Sequence, residues 1–213
     1  MSIFDGLAET WDDKPDRAER TATVAERLRS ALDFTGIESG LEYGCGTGQL
    51  SFALAEQLPH CLLVDTSVEM LKAAERGIVE RNLPWDTERR NFATRAVDHP
   101  VAITDVIFSL QVLHHVDDLP TTLENMAKAL RPGGQVALID LPKGSSGFHH
   151  GSAHSHDDNP HLDGLDNNEL EQVMGEAGFT DITWHEDIAL KRTEEDGTTE
   201  YTLFLVTAKT PRS

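Results

Sequence analysis

The chain has 213 residues, which is enough for one full-sized domain and hardly enough for two. Its residues are 38% hydrophobic, so it can bury a core, while a formal net charge of −19 repels phosphate backbones and anionic membranes. We therefore expect no nucleic-acid partner; the acidic excess fits either adaptation to a salty cytoplasm or a solubility feature.

The chain carries no sign of export or of membrane insertion. No apolar run reaches the roughly 18–20 residues that span a bilayer, and no basic region followed by an apolar stretch opens the sequence. We expect a cytoplasmic protein without a membrane partner, either a monomer or a homodimer. Cys45 and Cys61 are too few for a disulfide framework or a cysteine-based zinc site, so we expect two reduced thiols.

Two helical patterns open the chain. Phe4, Leu7 and Trp11 recur at helical spacing and predict a short amphipathic helix, and Pro15 opens a longer helix to about Leu32. Two interpretations of this N-terminal region, residues 1–35, stay open. It either covers a pocket as a lid or docks on the sheet as an ordinary helix.

From Gly40 onwards, strand and helix patterns alternate. Predicted strands cover residues 41–43, 61–64, 104–110 and 135–141, and predicted helices cover 49–58, 67–81, 119–130 and 167–177. The alternation predicts a parallel α/β sheet with right-handed connections. Two last strands, 180–190 and 201–208, flank Asp196-Gly197 and predict an antiparallel hairpin. We expect one domain over residues 1–213.

Residues 143–164 interrupt the alternation with a polar loop that contains five histidines: His149, His150, His154, His156 and His161. Three interpretations stay open. The loop is flexible, or it supplies substrate-binding or basic residues, or its histidines bind a divalent metal with Asp157 and Asp158. The histidine spacing matches no known metal motif, so we assign no metal ligand.

A glycine-rich turn follows the first predicted strand. Gly44, Gly46 and Gly48 allow a tight turn and let the backbone approach a ligand closely. Asp65 ends the next strand, twenty-one positions after Gly44, where a carboxylate can accept hydrogen bonds from ribose hydroxyls. The glycine-rich turn and Asp65 together predict a nucleoside-binding site, either for a dinucleotide or for S-adenosylmethionine.

Glu42 favours S-adenosylmethionine over a dinucleotide. A carboxylate two residues before the glycines repels a pyrophosphate, but it suits a loop amide or a cationic amino-acid ligand. Gln49 also stands where a dinucleotide fingerprint has glycine.

Four segments in order resemble motifs of class I (Rossmann-like) S-adenosylmethionine-dependent methyltransferases. They are Leu41-Glu42-Tyr43-Gly44-Cys45-Gly46-Thr47-Gly48, Val64-Asp65-Thr66-Ser67-Val68-Glu69-Met70-Leu71, Phe108-Ser109-Leu110-Gln111-Val112-Leu113-His114-His115-Val116 and Leu130-Arg131-Pro132-Gly133-Gly134. The opening Phe4-Asp5 through Trp11-Asp12 is similar to the start of many small-molecule members. The resemblance implies a three-layer α/β sandwich with a seven-stranded, mostly parallel sheet that ends in an antiparallel hairpin, plus N-terminal helices.

The resemblance also implies roles for individual residues. The methionine part of the cofactor would lie on the glycine turn, the ribose on Asp65, and the adenine near Ser67 or Met70. Asn91 would accept from the adenine amino group through its carbonyl oxygen. The implied cofactor site comprises Glu42, Gly44, Cys45, Gly46, Gly48, Asp65, Thr66, Met70, Asn91, Phe92, Leu110 and Gln111.

His114 and His115 follow the fourth strand, where the resemblance puts the methyl end of the cofactor. A histidine there is a natural base near neutral pH, should the acceptor need to lose a proton. The alternative is that both histidines pack on neighbours and shape the backbone.

These observations favour methyl transfer to a small molecule. A nucleotide-dependent oxidoreductase is a weaker fit, because neither tyrosine is followed by lysine in a Tyr-x-x-x-Lys pattern. A non-catalytic protein that binds the cofactor, and a protein or tRNA substrate, stay open.

Overall fold

The computed structural model describes residues 5–94, 103–145, 161, 163–194 and 197–212 of the chain. A 3-10 helix, Ala8–Asp13, precedes the first α-helix. The helices are α1 Pro15–Ala31, α2 Gln49–Ala53, α3 Val68–Glu80, α4 Leu119–Ala129 and α5 Asn167–Glu176. The strands are β1 Ser39–Tyr43, β2 His60–Asp65, β3 Asp86–Arg89, β4 Thr104–Leu110, β5 Leu130–Asp140, β6 Thr180–Trp184, β7 Ile188–Glu194 and β8 Gly197–Lys209.

The strands form one mixed sheet in the order β3-β2-β1-β4-β5-β8-β6, and β7 pairs with the first half of β8. The first five strands are mutually parallel, and β8 runs antiparallel to β5, β6 and β7. The carboxyl ends of the parallel strands therefore meet at one edge of the sheet. Gly44, Asp65 and Gln111 directly follow or end strands at this edge, where ligands bind in open α/β sheets.

Helices cover both faces of the sheet, which makes three layers. Leu28 of α1 and Ile78 of α3 pack with strand residues of one face, whereas Leu123 of α4 and Met174 of α5 pack on the other. Strands buried on both faces carry continuous apolar runs, as Val106–Phe108 does in β4. The predicted fold class, a three-layer α/β sandwich with a mostly parallel sheet, is confirmed.

Most predicted helix starts agree with their capping residues. The Ser67 side chain accepts from Met70 N at the start of α3, and Asp118 and Asp166 cap α4 and α5 in the same way. The predicted helix over 49–58 is shorter, because α2 ends at Ala53 and hydrogen-bonded turns follow. Pro59 does not explain this early end, because the restriction that a proline imposes on the residue before it reaches only Leu58.

Strand β5 begins at Leu130 rather than at residue 135, so it includes the glycine segment that was expected to precede it. The remaining differences concern the sheet edges and the first helix. Strand β3 was not located from the sequence, because its residues are polar and only partly buried. The predicted strand 180–190 is divided into β6 and β7, and β8 pairs with both. The predicted first helix is a 3-10 helix from Ala8, Leu7 is exposed, and Phe4 lies outside the described residues.

Candidate functional site

The glycine turn adopts the backbone conformation that glycine alone adopts easily. Gly44, Gly46 and Gly48 have φ angles of +72°, +52° and +83°. A Cβ added at Gly44 would lie 2.2 Å from the Val112 side chain, so the turn packs against the segment after β4. A Cβ at Gly46 would meet nothing nearer than the Trp11 ring at 3.8 Å. The turn is therefore held on one side and open at Gly46.

Asp65 fixes the turn from the neighbouring strand. Its Oδ2 accepts from Gly46 N at 2.8 Å, and its Oδ1 accepts from Ser67 N at 2.8 Å. Burial raises the pKa of Asp65, and these amide contacts oppose the rise. Each carboxylate oxygen has a second acceptor position, so Asp65 retains capacity for ligand hydroxyls.

Glu42 faces helix α2 rather than the edge of the sheet. The buried carboxylate accepts from both the amide and the hydroxyl of Ser51. Burial raises the pKa of Glu42 to about 8, against the hydrogen bonds from Ser51. Glu42 thereby ties helix α2 to β1, so its partner is a helix residue rather than the loop amide or cationic ligand that the sequence suggested.

The remaining residues of the first two motifs differ in exposure. Cys45 is a buried free thiol in the core, and burial raises its pKa well above the ordinary value. Met70 is buried on α3, and its amide donates to Ser67 Oγ. Thr66 is exposed, and its carbonyl accepts from Arg89 Nε at 3.1 Å.

Asn91 and Phe92 have different surroundings. The Phe92 ring is fully buried and stacks on Tyr43 at 4.9 Å between centroids. The exposed Asn91 accepts from Ala93 N at 2.9 Å through its Oδ1. The same oxygen also accepts from the Tyr43 hydroxyl at 3.5 Å, so the atom expected to accept from the adenine amino group already has two protein donors. The buried Phe92 could reach a ligand only with its backbone.

Gln111, after Leu110 at the end of β4, is held in a strained conformation. Its φ is +54°, which is uncommon for a residue with a side chain. Its amide donates to Ile139 O at 2.7 Å, and its Oε1 accepts from Arg20 at 2.7 Å. Gln111 Nε2 and Arg20 Nε are buried and have no hydrogen-bond partner among the described residues. Arg20 was missed in the sequence, because one arginine in a helix gives no signal 91 positions from its partner.

The two histidines occupy different environments. His114 is fully buried, and its Nδ1 pairs with Asp140 at the end of β5. Burial pushes the pKa of Asp140 upwards, but His114 and the Leu141 amide outweigh this and hold it below the ordinary value. His115 is only partly buried, and its ring lies 4.0 Å from that of His114.

The N-terminal segment, residues 5–13, contacts the glycine turn after β1 and the loop after Asp65. Ser67 Oγ donates to Asp5 at 2.6 Å. Asp12 accepts from Thr47 Oγ1 and from Gln49 Nε2, both at 2.9 Å. The segment thus lies against the glycine turn, with Trp11 Nε1 3.8 Å from the position of a Cβ added at Gly46.

Four of the five loop histidines, His149, His150, His154 and His156, lie outside the described residues. In the described ranges, no group of three or more His, Cys, Asp or Glu side chains is arranged to hold a metal ion. In the same ranges, no helix is long and apolar enough to cross a bilayer.

Comparisons with known proteins agree on one family. The profile of the family described as "Methyltransferase domain" matches residues 4–183. The chain is 30% identical over 139 residues to the trans-aconitate 2-methyltransferase of an Azoarcus species, covering 63% of this chain and 51% of that protein. It spans about half the length of the curated relatives it matches.

Two solved structures share the fold. YcgJ of Bacillus subtilis superposes with a TM-score of 0.72 at 13% identity and covers 90% of this chain and 99% of that one. The N-methyltransferase NodS of Bradyrhizobium japonicum, solved with S-adenosyl-L-homocysteine, has a TM-score of 0.65 at 20% identity, over 94% and 90% of the two chains. The chain belongs to the methyltransferase-domain family and has the class I fold of S-adenosylmethionine-dependent methyltransferases.

Proposed function

We propose that this protein is an S-adenosylmethionine-dependent methyltransferase that acts on a small molecule. The observation that carries the proposal is the bridge from Asp65 to Gly46, which joins a carboxylate with spare acceptor capacity to an open glycine turn. The residues fit the cofactor: Asp65 offers acceptors for ribose hydroxyls, and Gly46 leaves room for a ligand beside the backbone.

The cofactor-binding set that the family resemblance implies stays a proposal. Gly44, Cys45, Gly46 and Gly48 would contribute backbone atoms, and Thr66 would do the same beside Asp65. Met70 and Asn91 would border the adenine, Phe92 would contribute only its backbone, and Leu110 and Gln111 would line the end of β4. Glu42 would act through the turn, because Ser51 occupies its carboxylate.

S-adenosylmethionine supplies, when bound, a methyl group on a positively charged sulfur. The protein must align the acceptor with this group and exclude water. Where the acceptor loses a proton, we propose His115 as the base, since it is partly exposed at the carboxyl edge. His114, buried against Asp140, would hold the segment between β4 and α4 in place.

The N-terminal region would be a lid over the cofactor. The support is the set of contacts from Asp5 to Ser67 and from Asp12 to Thr47 and Gln49, which bind this segment across the glycine turn. A closed segment there excludes water from the site. The single domain over residues 1–213 and the role of the loop 143–164 stay predictions.

The small-molecule acceptor is supported by the name of a relative. The Azoarcus relative is named for methylating trans-aconitate, which is a small molecule. The absence of a nucleic-acid or membrane partner, a monomeric or homodimeric state and a cytoplasmic location stay predictions from the sequence.

Isothermal titration with S-adenosylmethionine, S-adenosylhomocysteine and NADH tests the proposal. We expect binding of the first two alone, at dissociation constants of about 1–100 µM, and then transfer of a labelled methyl group to a member of an acceptor library. Binding of NADH alone would favour the oxidoreductase. Binding of the two methionine derivatives without any transfer would favour a non-catalytic role.

A further inference from the structure

Two buried nitrogen donors without partners lie together at the end of β4. Arg20 Nη1 donates to Gln111 Oε1 at 2.7 Å, which joins the two side chains. Because a guanidinium only donates, this bond fixes the amide orientation and directs the NH2 group of Gln111 elsewhere. Arg20 Nε and Gln111 Nε2 are both buried, and neither has a hydrogen-bond partner in the described ranges.

Buried donors without partners are costly, at about 1–3 kcal/mol each, and they usually mark a place where a ligand or water supplies the acceptor. Gln111 also keeps an uncommon φ of +54°, a kind of strain that clusters at ligand sites. Both missing partners must be acceptors, because both atoms carry hydrogens. An anionic oxygen pair meets this requirement better than a neutral group.

The surroundings of Arg20 limit the charge of the ligand. Burial lowers the pKa of Arg20, and Arg192 of β7 lowers it further. The Asp16 carboxylate and the Tyr201 phenol oppose this shift. Burial also raises the pKa of Tyr201, so this phenol, which accepts a hydrogen bond from Arg20, stays uncharged near neutral pH. The local excess of positive charge is therefore small, which suits a singly charged carboxylate rather than a doubly charged phosphate.

The position of the pair separates it from the nucleoside end of the site. Asp65 ends β2, on one side of β1, whereas Gln111 follows β4 on the other side. The start of β8, which carries Tyr201, extends beyond the last pairing of β5 at Asp140 and Phe204. The pair thus joins α1 to the end of β4, where the next residue, Val112, lies against the glycine turn. Arg192 and Tyr201 of the β7–β8 hairpin are close enough to Arg20 to affect its pKa.

We propose that Arg20 and Gln111 bind the carboxylate of the methyl acceptor, so that the substrate is a small carboxylic acid. The inference rests on the proposed methyltransferase function and adds the substrate class. Arg20 Nε and Gln111 Nε2 each donate to one carboxylate oxygen, and Arg192 strengthens the attraction. Neutral analogues of the same shape leave both donors without an anionic partner.

The test compares matched acids and amides on the protein saturated with S-adenosylhomocysteine. The probes are benzoate, phenylacetate, glutarate and octanoate, each paired with its primary amide, and binding is followed by NMR titration. We expect at least one acid to bind about ten-fold or more tightly than its amide, as expected for charge-assisted hydrogen bonds. Equal binding of acids and amides throughout would overturn the proposal.

Variants assign this preference to the two residues. Arg20→Gln and Gln111→Glu should each abolish the preference for the acid, and Arg20→Lys should retain part of it. Arg27→Gln on the same helix, where Arg27 pairs with Glu186, is the matched control and should behave as the wild type. Thermal melts establish which variants fold. If Arg20→Gln does not fold, Gln111→Glu carries the test, and an unchanged acid preference in it would contradict the proposal.

The cofactor also has a carboxylate, so a second comparison tests whether Arg20 and Gln111 bind the carboxylate of the acceptor or that of the cofactor. S-adenosylhomocysteine and 5′-methylthioadenosine share the nucleoside, but only the first has an amino-acid carboxylate. We expect Arg20→Gln to leave both affinities within about two-fold of the wild type. A selective loss of S-adenosylhomocysteine binding would assign the pair to the cofactor and overturn the proposal. Failure of the wild type to bind either nucleoside would contradict the methyltransferase function. The acids and amides would then be compared on the protein without S-adenosylhomocysteine.

Discussion

Asp65 Oδ2 accepts a hydrogen bond from the Gly46 amide at 2.8 Å, across nineteen positions of sequence. The contact joins the turn after β1 to the turn after β2, because these parallel strands end side by side. The other oxygen of the same carboxylate accepts from Ser67, which begins helix α3. One side chain therefore sets both loops that would hold a nucleoside.

Replacing Asp65 by asparagine tests this double role. The variant retains one oxygen, but its NH2 group must face one of two amide donors, so that contact is lost. We expect unfolding to become easier by about 1–3 kcal/mol, and S-adenosylhomocysteine to bind about ten-fold or more weakly. Urea denaturation and calorimetry measure the two effects. Asp86→Asn, at the exposed start of β3, is the control and should change neither.

The geometry of the glycine turn predicts that alanine at Gly44 and alanine at Gly46 will destabilise the protein to different degrees. At Gly44 the new Cβ would lie 2.2 Å from Val112, so Gly44→Ala should destabilise the protein by about 2–4 kcal/mol. At Gly46 the space is open, so Gly46→Ala should cost only the backbone strain of about 1 kcal/mol but should weaken cofactor binding. The double variant Gly44→Ala/Val112→Ala should recover part of the lost stability. Equal destabilisation by both single changes would contradict the geometry.

Glu42 predicts a dependence of stability on pH. Burial raises its pKa from 4.5 to about 8, so the native state retains a proton that the unfolded chain loses. The stability linked to Glu42 is thus complete below pH 4.5 and decreases as the pH rises towards 8. At about 1.4 kcal/mol per pKa unit, the free energy of unfolding should decrease by about 3–5 kcal/mol between pH 4.5 and pH 8.

Glu42→Gln isolates this contribution, because the amide oxygen can still accept from Ser51 without ionising. We expect the variant to be less sensitive to pH than the wild type between pH 4.5 and 8, with the difference largest at pH 8. Urea denaturation across this range measures it. Glu38→Gln, on the exposed approach to β1, should follow the wild-type profile. Parallel profiles for Glu42→Gln and the wild type would rule out a raised pKa.

The sequence was sufficient where patterns are local. The apolar run of β4 and the patterns over 67–81 and 119–130 located those elements to within a residue or two, because apolar periodicity acts over a few neighbouring positions. The polar edge strand β3 has no such pattern. The division between β6 and β7 depends on pairing with one long partner, β8, which periodicity cannot reveal.

The residues of the candidate site also fall into those that the sequence could predict and those that it could not. Gly44, Gly46 and Asp65 could be found from spacing, because turn geometry and strand length fix their separation. The Arg20–Gln111 contact and the pairing of His114 with Asp140 could not, because both join residues that only the folded sheet brings together. The burial of Phe92, which follows β3, likewise depends on its stacking against Tyr43 of β1.

The histidine pair predicts separate effects on stability and turnover. His114→Ala leaves the buried Asp140 carboxylate without its ring partner, and we expect a loss of about 3–5 kcal/mol in unfolding free energy. His115→Gln should keep wild-type stability to within about 0.5 kcal/mol and, for an acceptor that loses a proton, lower turnover about a hundred-fold. Denaturation curves and initial rates distinguish the two. Unchanged turnover in His115→Gln would eliminate His115 as the base.

The N-terminal segment predicts a kinetic effect on cofactor release. Asp12→Ala removes the acceptor of both Thr47 and Gln49, so the segment should open more often over the glycine turn. We expect S-adenosylhomocysteine to dissociate about three- to ten-fold faster, with little change in the association rate, because closing contacts act mainly on dissociation. Stopped-flow fluorescence measures both rates. Asp13→Ala, one residue further along the same exposed segment, is the matched control, and an equal acceleration in both variants would show that the Asp12 contacts do not hold the segment closed.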